Sequence, residues 1–207
     1  MGDMTKIDTL FEASKGMDII IHGAAVTHTH ETNLYEAINF YGTNNLIQAA
    51  EHCGVKQFIF LSTRAASHSG GAYAESKILA EESLSRSGLN WVIVRVAEVY
   101  GTQSTEGIQK VINMITKGYP LPILGKGLYT LAPVFVDDVV SGIISTIDND
   151  QARRKVYTLE GPKEYTFIEL VDVLEGQLER KILKVYLPIY LVKILAFFLY
   201  LLKSELL

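Results

Sequence analysis

Cysteine is almost absent. Cys53 stands alone among 207 residues, which excludes an intrachain disulfide and any all-cysteine metal cluster, and agrees with a reducing cytoplasm. Charge of one sign is not concentrated either: 19 Lys and Arg against 23 Asp and Glu leave a net charge of −4, and no basic block supplies the cationic footprint that a phosphate backbone needs. Nucleic acid is therefore not expected as a partner. The opening "MGDMTKIDTL" lacks a basic stretch followed by an apolar core, so a secretory signal is not expected. Sixteen glycines never fall as G-x-G-x-x-G or G-x-x-G-x-x-G, so the sequence contains no glycine-rich turn of the kind that holds a pyrophosphate at a helix N-terminus.

What is present is apolar and periodic. A 48% hydrophobic content over this length suits one domain, or one domain with a small appendage. The runs "MDIIIH" (17–22), "KQFIFLS" (56–62), "NWVIVRV" (90–96) and "RKVYTL" (154–159) read as strands buried on both faces. Between the first two, Leu34, Ile38, Tyr41, Ala49 and Cys53 recur at helical spacing and Gly54 can end the helix; between the next two, "AYAESKILAEESLSRSG" ends in the same way at Gly88. Alternation of strand and helix predicts an α/β fold with a parallel sheet. The stretch 118–133, "GYPLPILGKGLYTLAP", reads as loops because of its prolines and glycines. A helix follows in "FVDDVVSGIISTID", where a helix N-cap is a simpler account of Asp137 and Asp138 than a metal site. From Ile189 to Leu202 a 14-residue apolar run contains Lys193 and follows Pro188. That is short of the roughly 20 residues that span a bilayer, so an amphipathic helix meeting the substrate lobe, a partner subunit or a membrane surface is expected there.

The stretch "FIFLSTRAASHSGGAYAESKILAEE" carries the chemistry. On a helix Tyr73 and Lys77 are i and i+4 and share a face. An ammonium beside a phenol favours the phenolate, which predicts a tyrosine with lowered pKa fit for acid–base work. Thr63 or Ser62, at the carboxyl end of a parallel strand, lies where open α/β sheets place ligands. Taken alone, Y-x-x-x-K is a weak signal. His22 reads as a packed, hydrogen-bonded side chain, Asn39 and Thr43 as residues bonding nearby helical backbone, and Arg95 as a structural contact near the strand end. Gly70 and Gly71 read as the turn before the helix.

Taken in order, "MDIIIHGAA", "NFYGTNNLIQAAEHCGVKQFIFLST", "AYAESKILAEE", "VIVRVAEVYG", "PVFVDDVV" and "VYTLEGPKEYTFIELVDVL" resemble the NAD-dependent epimerase/dehydratase family, the extended short-chain dehydrogenases, from about Gly2 to about Val185. The resemblance implies a partial Rossmann-type, doubly wound parallel sheet over 1–160, with a substrate-lobe insertion at about 101–134 and a C-terminal substrate lobe with an apolar helix over 161–207. It implies a catalytic triad of Thr63, Tyr73 and Lys77, in which Tyr73 is the acid/base, Lys77 lowers its pKa and holds the nicotinamide ribose, and Thr63, with Ser62 beside it, orients the substrate oxygen. It places Asp3 and Met4 near adenine, Gly23, Ala24 and Ala25 along the cofactor, Asn39 behind the active site, and Val96 and Ser62 on the cofactor side.

NAD or NADP is the implied cofactor and a small molecule the substrate. A nucleotide-sugar is the family default, with a sterol- or isoprenoid-like alcohol as alternative. A cytoplasmic homodimer is expected from the family's helix pairing, with membrane association through the C-terminal apolar helix as an addition. Three departures stand out. The family's opening glycine-rich strand–turn–helix has no counterpart, so the first two βα units are expected to be missing and the strand at 17–22 to form an exposed edge. Nine residues separate Thr63 from Tyr73, a spacing that resembles the branch of the complex I nucleotide-binding accessory subunit, where some members are not catalysts; a nucleotide-binding or assembly module, or an inactive fragment, is the alternative function. Arg64 and Ala65 replace the acidic pair of the 4,6-dehydratases, which disfavours dehydration.

Overall fold

A computed structural model describes residues 2–101 and 107–192. In chain order the elements are α1 (Ile7–Ser14), β1 (Ile19–His22), a π-helix (Tyr35–Gly42) running into α2 (Thr43–His52), β2 (Gln57–Thr63), α3 (Ala72–Arg86) and β3 (Trp91–Val96). Then come β4 (Val99–Tyr100), α4 (Gly107–Lys117), β5 (Leu121–Leu124), β6 (Thr130–Leu131) and β7 (Val134–Phe135). The chain continues with α5 (Val136–Ile144), β8 (Lys155–Leu159), β9 (Tyr165–Thr166), α6 (Phe167–Gln177) and β10 (Lys184–Leu187). Two compact units result: 1–97 with 136–160, and 98–135 with 161–207.

The first unit is an α/β layer structure. Its strands are all parallel in the order β1-β2-β3-β8. Strand alternation separates the side chains. Phe58, Phe60, Trp91 and Ile93 face one way, onto Leu46, Ile47, Ala50, Ala80 and Leu84 of α2 and α3. Ile59, Val92 and Val94 face the other way and pack with Ile143 and Ile147. Phe58, Ile59 and Phe60 are fully buried, each contributing roughly 2–3 kcal/mol of transfer free energy. The uninterrupted apolar runs of the sequence are thus explained by cover on both faces. Strand β1 is an edge of this sheet, and its Ile21 is 49% exposed.

Three local expectations are corrected. Tyr41 is exposed, and the buried positions of its helix are Asn39, Gly42, Thr43, Leu46, Ile47, Ala49 and Ala50; the π turns of 35–42 insert extra residues and rotate the buried face away from a 3.6-residue period there, while Ala49 is buried as expected. Gly54 ends α2 in the left-handed region (φ 69°), as its position suggested, but Gly88 does not use that conformation. Its N–H donates to the Glu51 carboxylate at 2.7 Å, tying α3's end to α2. Residues 121–124 form a strand despite Pro122, pairing in parallel with β10. Among the described residues strand β5 has a single strand neighbour, and a proline is tolerated where the second ladder is not needed.

In the second unit Leu121, Ile123, Phe167 and Val171 form a small core. Helix α6 opens with a complete capping box, Thr166 with Glu169, as expected of a T-x-x-E before an apolar run. The chain enters a helical turn at Ile189; most of the apolar run to Leu202 lies outside the described residues. Among the described residues no helix is long and apolar enough to cross a membrane.

Candidate active site

Helix α3 starts immediately after Gly71, whose φ of 90° belongs to the left-handed half of conformational space that glycine enters without a Cβ penalty. From there Tyr73, Lys77 and Glu81 recur every four residues along one stripe of the helix. The stripe faces the carboxyl end of β2. Tyr73 is half-buried and shares a side-chain hydrogen bond with Thr63, the last residue of β2. Its ring also meets the Tyr35 ring edge-on, with centroids 5.8 Å apart.

Lys77 is 2% exposed. Its Nζ donates to the Leu61 carbonyl at 2.8 Å and sits 4.1 Å from the Phe60 ring centroid. Burial pulls this ammonium down to a pKa of about 8, opposed by the Glu81 charge. Tyr73 moves opposite to expectation: burial first, and then the neighbouring Tyr35, push its phenol above the ordinary value, while the Thr63 hydrogen bond works the other way. Lys77 does not act on the phenol here because its ammonium is turned onto the strand backbone and the Phe60 ring.

Ser62, expected on the cofactor side, is committed elsewhere. Its hydroxyl donates to Glu81 Oε1 at 2.5 Å, and Arg95 holds the same carboxylate through Nε (3.0 and 3.1 Å) and Nη2 (2.6 Å). Arg95 is therefore a structural contact, and Glu81 is a buried anion that the sequence reading passed over. Its signal was present: Glu81 continues the Tyr73–Lys77 spacing by one more turn.

Behind the stripe lies a second polar set. Asn39 does not bond its own helix with its side chain. It accepts from Val26 N–H (2.8 Å) and donates to Val26 O (3.0 Å) and Ser76 Oγ (3.2 Å), and the Ser76 hydroxyl donates to the Tyr73 carbonyl. Thr43 does bond locally, donating to the Asn39 carbonyl at 2.7 Å. With that proton spent, its oxygen accepts from His22 Nε2 at 2.9 Å, which makes Nε2 the protonated nitrogen. His22 stacks on Phe60 at 5.4 Å; burial, and then the Lys77 charge, depress its pKa to about 3, so it is packed and neutral.

The remaining expected positions form an arc at the carboxyl ends of the strands. Gly23 and Ala24 are exposed and Ala25 half-buried, directly after β1. Val96 ends β3, in register with Thr63. Asp3 and Met4 are held by a different part of the unit: Asp3 accepts from Thr5, and Met4 packs on Gly42 and accepts from Asn45 Nδ2. A phenol, an ammonium and a hydroxyl at one strand end are a donor set suited to a polyol such as a ribose, so the nicotinamide half of a dinucleotide fits. No G-x-G-x-x-G or G-x-x-G-x-x-G run occurs within these 207 residues. A cavity of about 520 Å³ lined by Glu51, Lys56, Asn90 and Arg153 lies at the opposite, amino ends of the strands, where open α/β sheets do not place their ligands. Asp137 and Asp138 sit inside the first turn of α5 rather than capping it. Among the described residues no group of three or more His, Cys, Asp or Glu is gathered for a metal ion.

Known proteins are similar to this chain in sequence and in fold. The chain is 26% identical over 206 residues to UDP-glucose 4-epimerase of Vibrio cholerae, covering 87% of this chain and 63% of that protein. It is 30% identical over 151 residues to subunit 9 of the mitochondrial NADH dehydrogenase [ubiquinone] 1 alpha subcomplex of Arabidopsis thaliana, covering 72% and 37% respectively. The chain thus spans only part of the length of these relatives. In fold it matches the UDP-glucuronic acid 4-epimerase of Bacillus cereus in complex with NAD, with a TM-score of 0.78, 21% identity and coverage of 90% of this chain and 67% of that one. A family model for the NAD dependent epimerase/dehydratase family matches residues 1–159, and to that family this chain belongs.

Proposed function

We propose that this chain carries the chemical half-site of an NAD(P)-dependent oxidoreductase or epimerase acting at a hydroxyl or keto carbon, with a nucleotide-sugar as substrate class. The observation that carries this reading is the convergence of Thr63, Tyr73 and Lys77 on the carboxyl end of β2. A bound nicotinamide supplies or accepts the hydride, and the chain's own groups handle the proton. Its raised pKa keeps Tyr73 protonated near neutrality, the form that donates. In carbonyl reduction the Tyr73 O–H gives its proton to the substrate oxygen as that oxygen gains negative charge, and Thr63 orients the same oxygen. Lys77, one turn along the helix, would hold the ribose hydroxyls of the cofactor. In the oxidative direction the phenolate takes the hydroxyl proton back.

A second reading, a nucleotide-binding or assembly module without turnover, is favoured by one observation: Lys77 is spent on Leu61 and Phe60 and leaves the phenol unactivated. Titration of the 207-residue chain with NADH and NADPH, read by nicotinamide fluorescence, separates the two when joined to turnover of UDP-sugars. The catalytic reading expects saturable binding weakened about tenfold or more by Lys77→Ala, and turnover reduced about 10²–10⁴-fold by Tyr73→Phe. Binding without turnover supports the module. A folded chain that binds neither dinucleotide overturns the catalytic reading.

A further inference from the structure

We propose that Glu81 is the positioning residue of the Lys77 ammonium: gathered by Ser62 and Arg95, its carboxylate fixes α3 on the β2 carboxyl end and supplies the negative charge that faces Lys77. This rests on the reading of Lys77 as the residue that holds the cofactor.

The geometry converges from three elements. Ser62 and Arg95 are register partners on adjacent parallel strands, so their side chains leave the same face of the sheet, the one that α3 covers. Both spend their donors on Glu81, which is 4% exposed. The residue before Ser62 is Leu61, whose carbonyl receives Lys77. One helix therefore grips one strand end twice, through Glu81 to Ser62 and through Lys77 to Leu61, with a single helical turn between the two grips.

The charges around Lys77 show why an anion is needed. From its own helix the Glu81 charge acts on it; from β1 it acts in turn on His22, which is neutral; from β2 come the Phe60 ring and the Leu61 carbonyl; from β3 comes the Arg95 guanidinium, reached through Glu81. Without Glu81, the buried Lys77 ammonium would lose the carboxylate that favours its charged form, and Arg95 would lose its ion-pair partner. Burial lowers Lys77 to about 8 with the opposing Glu81 charge already in place, so loss of that carboxylate moves the ammonium further toward deprotonation near neutral pH.

The test reads Lys77 directly. Lysine Cε and Nζ resonances of the 207-residue chain are followed against pH without dinucleotide, the Lys77 signal being assigned by Lys77→Arg. In Glu81→Gln the Lys77 midpoint falls by about one pH unit or more, and in Glu81→Asp it falls part of the way. Glu81→Gln/Arg95→Met removes both charges and protects against a folding failure of the single variant; its midpoint also lies below wild type. NADH affinity of Glu81→Gln falls about tenfold at pH 8 and recovers at pH 6, where Lys77 is protonated again. An unchanged midpoint in a folded variant, or an affinity loss equal at both pH values, overturns the proposal and leaves Glu81 a packing residue. Because the midpoint is read without dinucleotide, a wild-type chain that binds no NADH counts against the catalytic reading alone.

Discussion

The two ends of the four-stranded sheet are built from the same strands and treat charge in opposite ways. At the amino ends Lys56 pairs with Asp18 at 2.8 Å with both side chains at least 70% exposed, and Arg153 pairs with Asp150 at 2.6 Å, again in solvent. The buried polar group there is neutral: Gln57 donates to the Thr146 carbonyl and accepts from Asp148 N–H. At the carboxyl ends Lys77, Glu81 and His22 are all less than 5% exposed. The amino ends hold these charges in solvent and bury a neutral amide instead. Desolvating an ammonium and a carboxylate costs more than an apolar pair of the same size would, so the carboxyl ends carry an energetic cost that the amino ends do not.

Breaking that contrast should produce its largest effect through His22. Its pKa of about 3 in the folded chain lies below the ordinary 6.5, so between those values the unfolded chain binds the extra proton. Stability is fully present above pH 6.5 and declines as pH falls toward 3, by roughly 4 kcal/mol from this residue. Urea midpoints measured across that window should flatten in His22→Asn relative to wild type. A slope unchanged by the substitution would show that the acid sensitivity resides elsewhere.

A smaller effect is expected from Glu81→Ala. Removing the anion strands Arg95 and Lys77 and should cost about 3 kcal/mol in equilibrium unfolding, at the low end for a buried pair because the Arg95 side chain is 32% exposed. The smallest belongs to the amino end, where Lys56→Ala removes an exposed pair and should change stability by less than about 1 kcal/mol. Equal losses at Glu81 and Lys56 would erase the distinction between the two ends.

Much of this was legible in the residues. The apolar runs at 56–62 and 90–96 became β2 and β3 because continuous burial on both faces leaves a continuous pattern. Tyr73 and Lys77 share a face because helical spacing is a local property. The exposed edge at β1 was also anticipated, from the order of motifs alone. The use made of the Ser62 hydroxyl was not legible: a serine at a strand end looks available to a ligand until the carboxylate 19 residues later is seen to accept its hydrogen bond. The π-helix at 35–42 was hidden because its extra residue per turn has no compositional mark, and Pro122 concealed a strand because proline is excluded only where a second ladder is needed.

The sequence by itself determined the alternation of strands and helices, the α/β class, the family and the stripe carrying Tyr73, Lys77 and Glu81, since each follows from periodicity and from motifs read in order. Only the tertiary structure decided the electrostatics of the site: that the Tyr73 phenol is raised rather than lowered, that Lys77 turns onto Leu61 and Phe60, and that Arg95 and Ser62 meet at Glu81. The physical reason is that a pKa depends on desolvation and on the charges within a few ångströms, and here those come from β1, β2, β3 and two helices whose approach no local spacing encodes.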